Sequence, residues 1–167
     1  MDAGDQQERL ETIGWVVGFI DGEGCFSVSL HKNPTTKLGW QIMPEFVATQ
    51  GEKSILALEK LKSFFGCGRI FVNRRYDNHN GNLYRFCVRS FSDLKEIITP
   101  FFKEHKLQTS KANDFEIFSQ IISLMENKEH LNKEGIKKII ALATNMNTKK
   151  RKKLFQVSSE TIRRSLA

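Results

Sequence analysis

Two carboxylates separated by a glycine close an apolar stretch near the start of the chain, in GWVVGFIDGEGCFSV (residues 14–28). Asp21 and Glu23 alternate there with Gly22 and Gly24. The carbonyl end of a helix already carries partial negative charge, so carboxylates at that end are unfavourable unless a cation is bound. Hard divalent cations take oxygen ligands from carboxylates, backbone carbonyls, water and phosphate, and they support phosphodiester hydrolysis. The spacing therefore points to a metal site at the end of the first helix.

Two glycines occupy one face of the same predicted helix. Gly14 and Gly18 are four residues apart, so they lie on the same side of it. Each glycine inside a helix costs about 1 kcal/mol relative to alanine, which implies a compensating close contact. Two interpretations stay open, a tight fit inside the subunit or a seam between the first helices of two copies. A seam would include Val17 and would bring Asp21 and Glu23 next to their symmetry mates.

The rest of the chain predicts the elements that position these groups. Apolar periodicity predicts helices over 8–21, 52–66, 92–103, 109–128 and 132–146, and alternation predicts strands over 25–30, 40–49, 68–75 and 83–90. Ser92 is the expected N-cap of the third helix, Gly66 is the expected stop of the second, and Pro44 predicts a bend or an unpaired position in the second strand. Because the strands come in hairpin-like pairs, we expect an α+β fold of order αββαββα, with an antiparallel four-stranded sheet and helices on one face.

The other face of this sheet mixes arginines with hydrogen-bonding and small apolar side chains. Such a face suits the reading of base edges in a DNA groove, but polar alternation is also expected of any half-exposed sheet. Both interpretations stay open at this point. The predicted DNA-contacting residues are Ser27, Ser29, His31, Asn33, Gln41, Met43, Glu45, Arg69, Phe71, Asn73, Arg75, Arg85, Cys87 and Arg89, and Val47 lies on the same face.

Composition narrows the classes of protein. The 167 residues carry a net charge of +7, which favours a polyanionic partner. Three cysteines without a C-x-x-C pair argue against a disulfide framework or a structural zinc site. No apolar run approaches the ~20 residues of a membrane span, and the acidic start MDAGDQQERLE is unlike a signal peptide. We therefore expect no membrane partner and a protein that is not secreted, in a bacterial cytoplasm or an organellar matrix.

A basic run, NMNTKKRKK (145–153), lies near the end of the sequence. Lys149, Lys150 and Arg151 are predicted to contact DNA phosphates with a salt-dependent contribution. A disordered basic extension and a nuclear localisation signal are the alternatives for the same residues. The predicted domain boundaries are a core over 1–150 and a basic C-terminal extension with a short helix over 151–167.

The segment VVGFIDGEG (16–24) resembles the LAGLIDADG motif of homing endonucleases position by position. Gly18, Asp21 and Gly24 match, and Glu23 replaces the final aspartate of the motif. The resemblance covers residues 9–150 and implies the αββαββα homing-endonuclease fold with a saddle-shaped sheet. One motif without an internal repeat implies the single-motif, homodimeric type, since the family uses two motif copies to cut two strands.

The resemblance also implies roles for individual residues. Glu23 would hold the metal with the Gly22 carbonyl assisting, Gln50 would position the water network, and Lys111 would stabilise charge at the phosphate. Lys106 is the rival of Lys111, and Asp21 is expected to be structural. The alternatives are that Gln50 caps the next helix and that Lys111 is a solvated lysine. Mg²⁺ or Mn²⁺ is the implied cofactor, and Ca²⁺ is expected to bind without supporting cleavage.

The function implied by the resemblance is a site-specific homing endonuclease. It would bind a long, near-palindromic double-stranded DNA target as a homodimer and hydrolyse one phosphodiester per strand, leaving short 3′ overhangs. The alternatives are an intron RNA maturase, with intron RNA as partner, or a catalytically inactive DNA-binding module. The carboxylate of Glu23 favours cleavage, because loss of the metal-binding acid usually marks the DNA-binding regulators of this family.

Overall fold

A computed structural model describes residues 3–73 and 81–146 of the chain. The helices and strands follow one another as α1 (Ala3–Glu23), β1 (Gly24–Lys32), β2 (Trp40–Gly51), α2 (Ile55–Phe65), β3 (Arg69–Asn73), β4 (Leu83–Val88), α3 (Phe91–Asp93), α4 (Thr99–Glu104), α5 (Lys111–Glu126) and α6 (Lys133–Ala143). A π-helical turn, Leu94–Ile98, joins α3 to α4, and 3-10 turns Glu52–Ser54 and Glu129–Leu131 precede α2 and α6. The predicted order αββαββα is confirmed.

The four strands form one sheet in the order β1-β2-β4-β3. β4 is antiparallel to both of its neighbours, and its register pairs Val88 with Phe46 of β2 and Cys87 with Arg69 of β3. The pairs β1-β2 and β3-β4, each consecutive in sequence, are therefore joined where β2 pairs with β4. The predicted α+β class and antiparallel four-stranded sheet are confirmed.

Several boundaries differ from the prediction. α1 continues to Glu23 instead of stopping at Asp21, so both acids lie within its last turn. β2 includes Pro44, which is buried, and its register with β4 begins at Phe46, so the bend or unpaired position expected at Pro44 stays a prediction. The prediction of Ser92 as an N-cap is wrong, because the Asp93 N–H donates to the Ser90 hydroxyl at 3.3 Å. β4 ends at Val88, and Ser90 is therefore the residue that directly precedes the helical turn.

The chain divides into two compact units. The first comprises Met1–Cys25 and Glu45–Ala112. Its core is aromatic, and the Phe46 ring lies 5.6 Å from the Phe102 ring and 6.2 Å from the Phe86 ring. Gly66 ends α2 in the left-handed conformation, with φ of 63°, as its predicted role as a helix stop requires.

The second unit comprises Phe26–Pro44 and Asn113–Ala167. The Phe26 ring of β1 lies 5.2 Å from Phe115 and 5.3 Å from Phe118 of α5. Asn132 is the N-cap of α6, and its side chain accepts a hydrogen bond from the Gly135 N–H at 2.8 Å. No helix in the two described ranges is long and apolar enough to cross a membrane.

Candidate active site

Asp21 is bonded to the segment that leads into α5. One carboxylate oxygen accepts from the backbone N–H of Gln108 at 2.7 Å, and the other accepts from the N–H and the hydroxyl of Thr109 at 3.0 and 2.8 Å. The carboxylate is thus held by three donors within its own unit. This geometry agrees with the structural role expected of Asp21 at the end of α1.

The same contacts change the acidity of Asp21. Partial burial by itself would raise the pKa of this carboxyl, but the hydrogen bonds from Gln108 and Thr109, with the nearby Lys111 charge, outweigh it and lower the pKa below 3.8. Donors that favour the ionised form have this effect on any carboxyl group. The bonds therefore stabilise the folded chain only where Asp21 is ionised.

An Asp21→Asn variant is expected to lose about 1–2 kcal/mol of unfolding free energy at neutral pH, the usual net value of such bonds. Because the pKa of Asp21 is lowered on folding, its contribution is complete above 3.8 and is lost as pH falls through the lower, folded value. The difference in unfolding free energy between wild type and variant, measured by denaturant titration, should therefore become smaller below pH 3.8. Asp5→Asn, in the exposed first turn of the same helix, is the control. A gap that stays constant with pH would contradict this account.

Lys111 satisfies the carbonyl groups at the end of α1. Its ammonium donates to the carbonyl oxygens of Ile20, Asp21 and Gly22 at 3.3, 2.8 and 2.6 Å. A helix leaves its last carbonyls without intrahelical partners, and a cation there is favourable. The sequence alternative of a merely solvated lysine is therefore wrong, since this side chain is half-buried against α1.

A Lys111→Met variant is expected to lose about 2 kcal/mol of unfolding free energy, because a charged donor leaves carbonyl groups that it had satisfied. Lys106→Met is the matched control, since Lys106 is exposed and only its backbone carbonyl has a described bond, to the Gln108 side chain. Denaturant unfolding of both variants measures the difference. Equal stabilities would show that water replaces the ammonium at no cost.

The Glu23 side chain is accessible to a cation from solvent. It is exposed at the last position of α1, next to the equally exposed Gly22. A carboxylate and a backbone carbonyl are the oxygen donors that hard cations such as Mg²⁺ prefer. Within residues 3–73 and 81–146, no three histidine, cysteine or acidic side chains gather into a metal site. The described part of the chain therefore offers at most a partial set of ligands, centred on the Glu23 carboxylate.

The glycine after Glu23 is required by the turn into β1. A Cβ added at Gly24 would lie 2.5 Å from the Ile20 side chain and 2.7 Å from its carbonyl oxygen. Real Cβ atoms do not approach other atoms so closely, so a larger residue would push the turn away from α1. Gly24 thereby keeps the chain close to α1 directly after Glu23, the last residue of the helix.

Gln50 lies near the carboxyl end of β2, opposite Tyr84 of β4. It is half-buried. The 3-10 turn that begins at Glu52 and the helix α2 that follows it both lack a side-chain cap hydrogen bond. The alternative that Gln50 caps the next helix is therefore wrong, and its role at the phosphate stays a prediction.

Gly14 and Gly18 are exposed on α1, and a Cβ built on either would meet nothing within 4 Å. The described part of the subunit thus leaves open space along this face. Within residues 3–73 and 81–146, no neighbour occupies the space of the missing side chains, so the interpretation as a tight fit inside the subunit finds no support there. Val17, one residue before Gly18, is half-buried. The seam between two copies stays a prediction.

In the second unit, the predicted DNA-contacting side chains form short polar contacts along the sheet. The Ser29 hydroxyl hydrogen bonds with the His31 ring at 3.1 Å, and the Asn33 amide donates to the Gln41 side chain at 2.9 Å. Ser29, His31 and Gln41 are exposed. Ser27 and Met43, which belong to the same predicted set, are half-buried.

In the first unit, the arginines on the predicted DNA-contacting face are partly accessible, but its centre is closed. Val47 and Cys87 form a directly paired position of β2 and β4 and are only 5% and 4% exposed. The expectation that these two side chains are exposed is wrong, since both are buried, and the neighbouring Glu45 forms ion pairs with Arg85 and Arg89. Burial first, and then the neighbouring Glu45 carboxylate, raise the pKa of the Cys87 thiol to about 11, so it stays protonated at neutral pH.

The remaining positions of this face in β3 are open. Arg69, Phe71 and Asn73 are all exposed. Four further predicted contacts, Arg75, Lys149, Lys150 and Arg151, lie outside the described residues, as does the predicted extension over 151–167. These, and the division into a 1–150 core and an extension, stay predictions.

Comparison with known proteins agrees with this arrangement. Residues 16–122 match the family described as LAGLIDADG endonuclease, and the matched range begins at the first residue of VVGFIDGEG. The chain belongs to the LAGLIDADG endonuclease family. Asp21, Glu23 and Lys111 all lie within the matched range.

Solved LAGLIDADG structures share the fold. The homing endonuclease I-TnaI is 42% identical, with a TM-score of 0.79, over 90% of this chain and 97% of the I-TnaI chain. I-SmaMI, solved bound to its uncleaved DNA target in the presence of calcium ions, is 35% identical with a TM-score of 0.73, over 86% of this chain and 47% of its own.

One curated relative is longer. Probable intron-encoded endonuclease 2 of Neurospora crassa is 34% identical over 132 residues, which is 79% of this chain and 26% of that protein. The chain thus spans about a quarter of the length of this relative and about half of I-SmaMI. It matches I-TnaI over nearly all of its length.

Sequence reasoning missed the donors that hold the first acid of the LAGLIDADG motif. Gln108 and Thr109 contribute backbone N–H groups, which every residue carries, so their identity held no signal. The Thr109 hydroxyl gave a weak signal, because threonine is a common capping residue close to the start of a helix. The ion pairs of Glu45 were also missed, since they depend on the register of β2 and β4.

Proposed function

We propose that this chain is a site-specific homing endonuclease that acts as a homodimer on double-stranded DNA. The observation that carries the proposal is the exposed Glu23 carboxylate in the last turn of α1, beside carbonyl groups that the Lys111 ammonium contacts. An anionic side chain and the ammonium of Lys111 thus both lie at the last turn of α1, where the LAGLIDADG-like segment ends. Their opposite charges suit a cation ligand and a phosphate contact, respectively.

The proposed metal ligands are the Glu23 carboxylate and the Gly22 carbonyl, with the partner copy and a DNA phosphate completing the set. Oxygen donors of this kind fit Mg²⁺ or Mn²⁺, and Ca²⁺ should bind them without supporting cleavage. A divalent cation bound there supplies Lewis-acid stabilisation of charge on the phosphate oxygens and lowers the pKa of water. The Gly22 carbonyl already accepts from Lys111 at 2.6 Å, so one of its lone pairs remains for a cation.

The side chains around this turn have separate tasks in the proposal. Lys111 offers positive charge to the phosphate undergoing attack, and Gln50 orders water through its amide, which both donates and accepts hydrogen bonds. Asp21 holds residues 108–109 against the end of α1 and so fixes the position of Lys111. The ammonium is then held, before the substrate arrives, at the place where the phosphate would bind. This avoids reorganisation of the side chain during the reaction.

The homodimer is supported by the open glycine face of α1. Gly14 and Gly18 leave room for another backbone, and Val17 contributes an apolar side chain beside them. Two Glu23 carboxylates, one per copy, would then serve two strands. A two-fold symmetric dimer presents the same surface to each half of a near-palindromic target.

The experiment is cleavage of a library of randomised DNA duplexes by the purified chain with Mg²⁺, Mn²⁺ or Ca²⁺. We expect a defined cut on each strand with Mg²⁺ or Mn²⁺, short 3′ overhangs when the ends are sequenced, and retention of intact duplex with Ca²⁺. A chain that binds a selected duplex but leaves it intact with every cation would overturn the endonuclease proposal. If that chain instead bound intron RNA, the maturase alternative would take its place.

A further inference from the structure

A single carboxylate on the sheet of the first unit is bonded to two arginines. The Glu45 side chain of β2 accepts from Arg85 Nη2 at 2.9 Å through Oε1 and from Arg89 Nε through Oε2. Both arginines belong to or directly follow β4 and lie four residues apart on the same face. The Glu45 side chain is 17% exposed, while the arginine side chains are 37% and 53% exposed. The carboxylate is therefore largely covered and the guanidinium groups are accessible.

Arg89 is held from a second direction. Its guanidinium lies over the ring of Phe71 on β3, with 5.9 Å between Cζ and the ring centroid. The hydrogen bond to Glu45 raises the pKa of Arg89, so the group stays charged. A carboxylate and an aromatic ring together restrict a long side chain that would otherwise sample many rotamers.

The bonds to Glu45 leave donors for another molecule. A guanidinium carries five N–H donors in a planar fork, and Glu45 takes one position on each arginine. Arg89 is engaged through Nε, which leaves both of its Nη groups. A cavity of about 360 Å³ opens beside this arginine and is lined also by Arg69, Phe71 and Cys87. There is thus open space next to a fixed, double-pronged donor.

We propose that Glu45 is a positioning residue for DNA sequence specificity, fixing Arg85 and Arg89 so that their remaining donors read guanine in the major groove of each half-site. The inference rests on the proposed action on DNA. The paired Nη groups of an arginine match the O6 and N7 acceptors of guanine, and this pair discriminates strongly against other bases. Glu45 acts through the arginines, since both of its oxygens are already engaged.

Glu45 has a second effect in the same proposal. Its negative charge offsets one of the two arginine charges on the sheet face, and so it weakens attraction to phosphates of any sequence. Without it, two mobile cations would move toward the nearest phosphates. Phosphate contacts position a protein on DNA but carry no sequence information. Glu45 thereby favours base contacts over phosphate contacts.

The test compares Glu45→Gln with wild type by selection from randomised duplexes, in which binding and cleavage are scored at each target position. We expect wild type to require guanine at defined positions in each half-site. In Glu45→Gln the preference at those positions should fall about tenfold, the value of one good bidentate contact. Affinity for unrelated duplexes should rise, because the variant has lost a negative charge.

Four further variants separate positioning from a purely structural role. Glu45→Asp keeps the charge and should restore part of the guanine preference. Glu134→Gln removes the same charge from an exposed ion pair with Lys137 on α6, and it should leave the preference unchanged. Arg85→Ala and Arg89→Ala should each lose the preference at the positions that Glu45→Gln relaxes.

The outcomes distinguish this inference from the proposed function. A wild-type chain that selects no sequence would overturn both. A wild-type chain that selects guanine, with the same preference retained in Glu45→Gln, would overturn only the role of Glu45. Uniform loss of affinity across all sequences, with a shallower salt dependence in the arginine variants, would show that the arginines contact phosphates and would also overturn it.

Discussion

Replacing Glu23 with glutamine is expected to abolish DNA cleavage while DNA binding persists. Glu23 is exposed at the end of α1, and Glu23→Gln keeps the shape of the side chain but removes the charge that a cation ligand needs. A bound cation stabilises the transition state by several kcal/mol, and each 1.4 kcal/mol is a factor of about ten in rate. The cleavage rate should therefore fall by roughly a thousandfold or more.

The measurement is single-turnover cleavage of the selected duplex with Mg²⁺, beside a binding titration on the same duplex. The unfolding free energy should stay close to the wild-type value, because no described hydrogen bond involves the exposed Glu23 side chain within residues 3–73 and 81–146. Glu8→Gln, exposed on the same helix, removes the same charge and should cleave normally. Cleavage by Glu23→Gln at the wild-type rate would show that the metal is held elsewhere.

Introducing leucine at Gly18 is expected to convert the proposed homodimer into monomers and to eliminate the proposed cleavage. A Cβ at this position meets nothing within 4 Å in the subunit, so the fold can accept the side chain. Leucine also favours helix by about 1 kcal/mol over glycine, so the isolated subunit should be no less stable than wild type. Close approach of a second α1 would be blocked, since the space that the glycine leaves would be filled.

This substitution separates a fold defect from an assembly defect. Sedimentation or light scattering measures the mass of the assembly, and denaturant unfolding measures the stability of the subunit. Gly4→Leu is the matched control, because Gly4 lies on the same helix and a Cβ there also meets nothing within 4 Å. It should keep the dimer and its activity. A Gly18→Leu protein that remains a dimer and cleaves DNA would place the seam on another surface.

The sequence was most informative where the residue types themselves carry the physics. Acids at a helix end, glycines on one helix face and alternation along the strands predicted the position of the site and the order αββαββα. Lys111 was predicted to act at the site, although its contact with three carbonyls of α1 was not, because it joins residues about 90 positions apart in the chain.

Other features depend on register or on backbone groups and could not be predicted. Ser90 and Ser92 are chemically equal candidates for the cap, and only the end of β4 decides between them. The closure of Val47 and Cys87 follows from their pairing across two central strands. Alternation alone assigns both side chains to the exposed face of the sheet, because it cannot show which neighbouring side chains cover them.

The contact of Lys111 with the end of α1 has a consequence for the proposed binding of a divalent metal. An ammonium already lies against the carbonyl groups where negative charge accumulates, and Asp21 is satisfied by backbone donors. Apoprotein therefore carries its own counter-ion at this turn, in contrast to small domains whose folding depends on metal uptake. Under the proposed function, the divalent ion would therefore not be needed for folding and could bind together with the DNA phosphodiester.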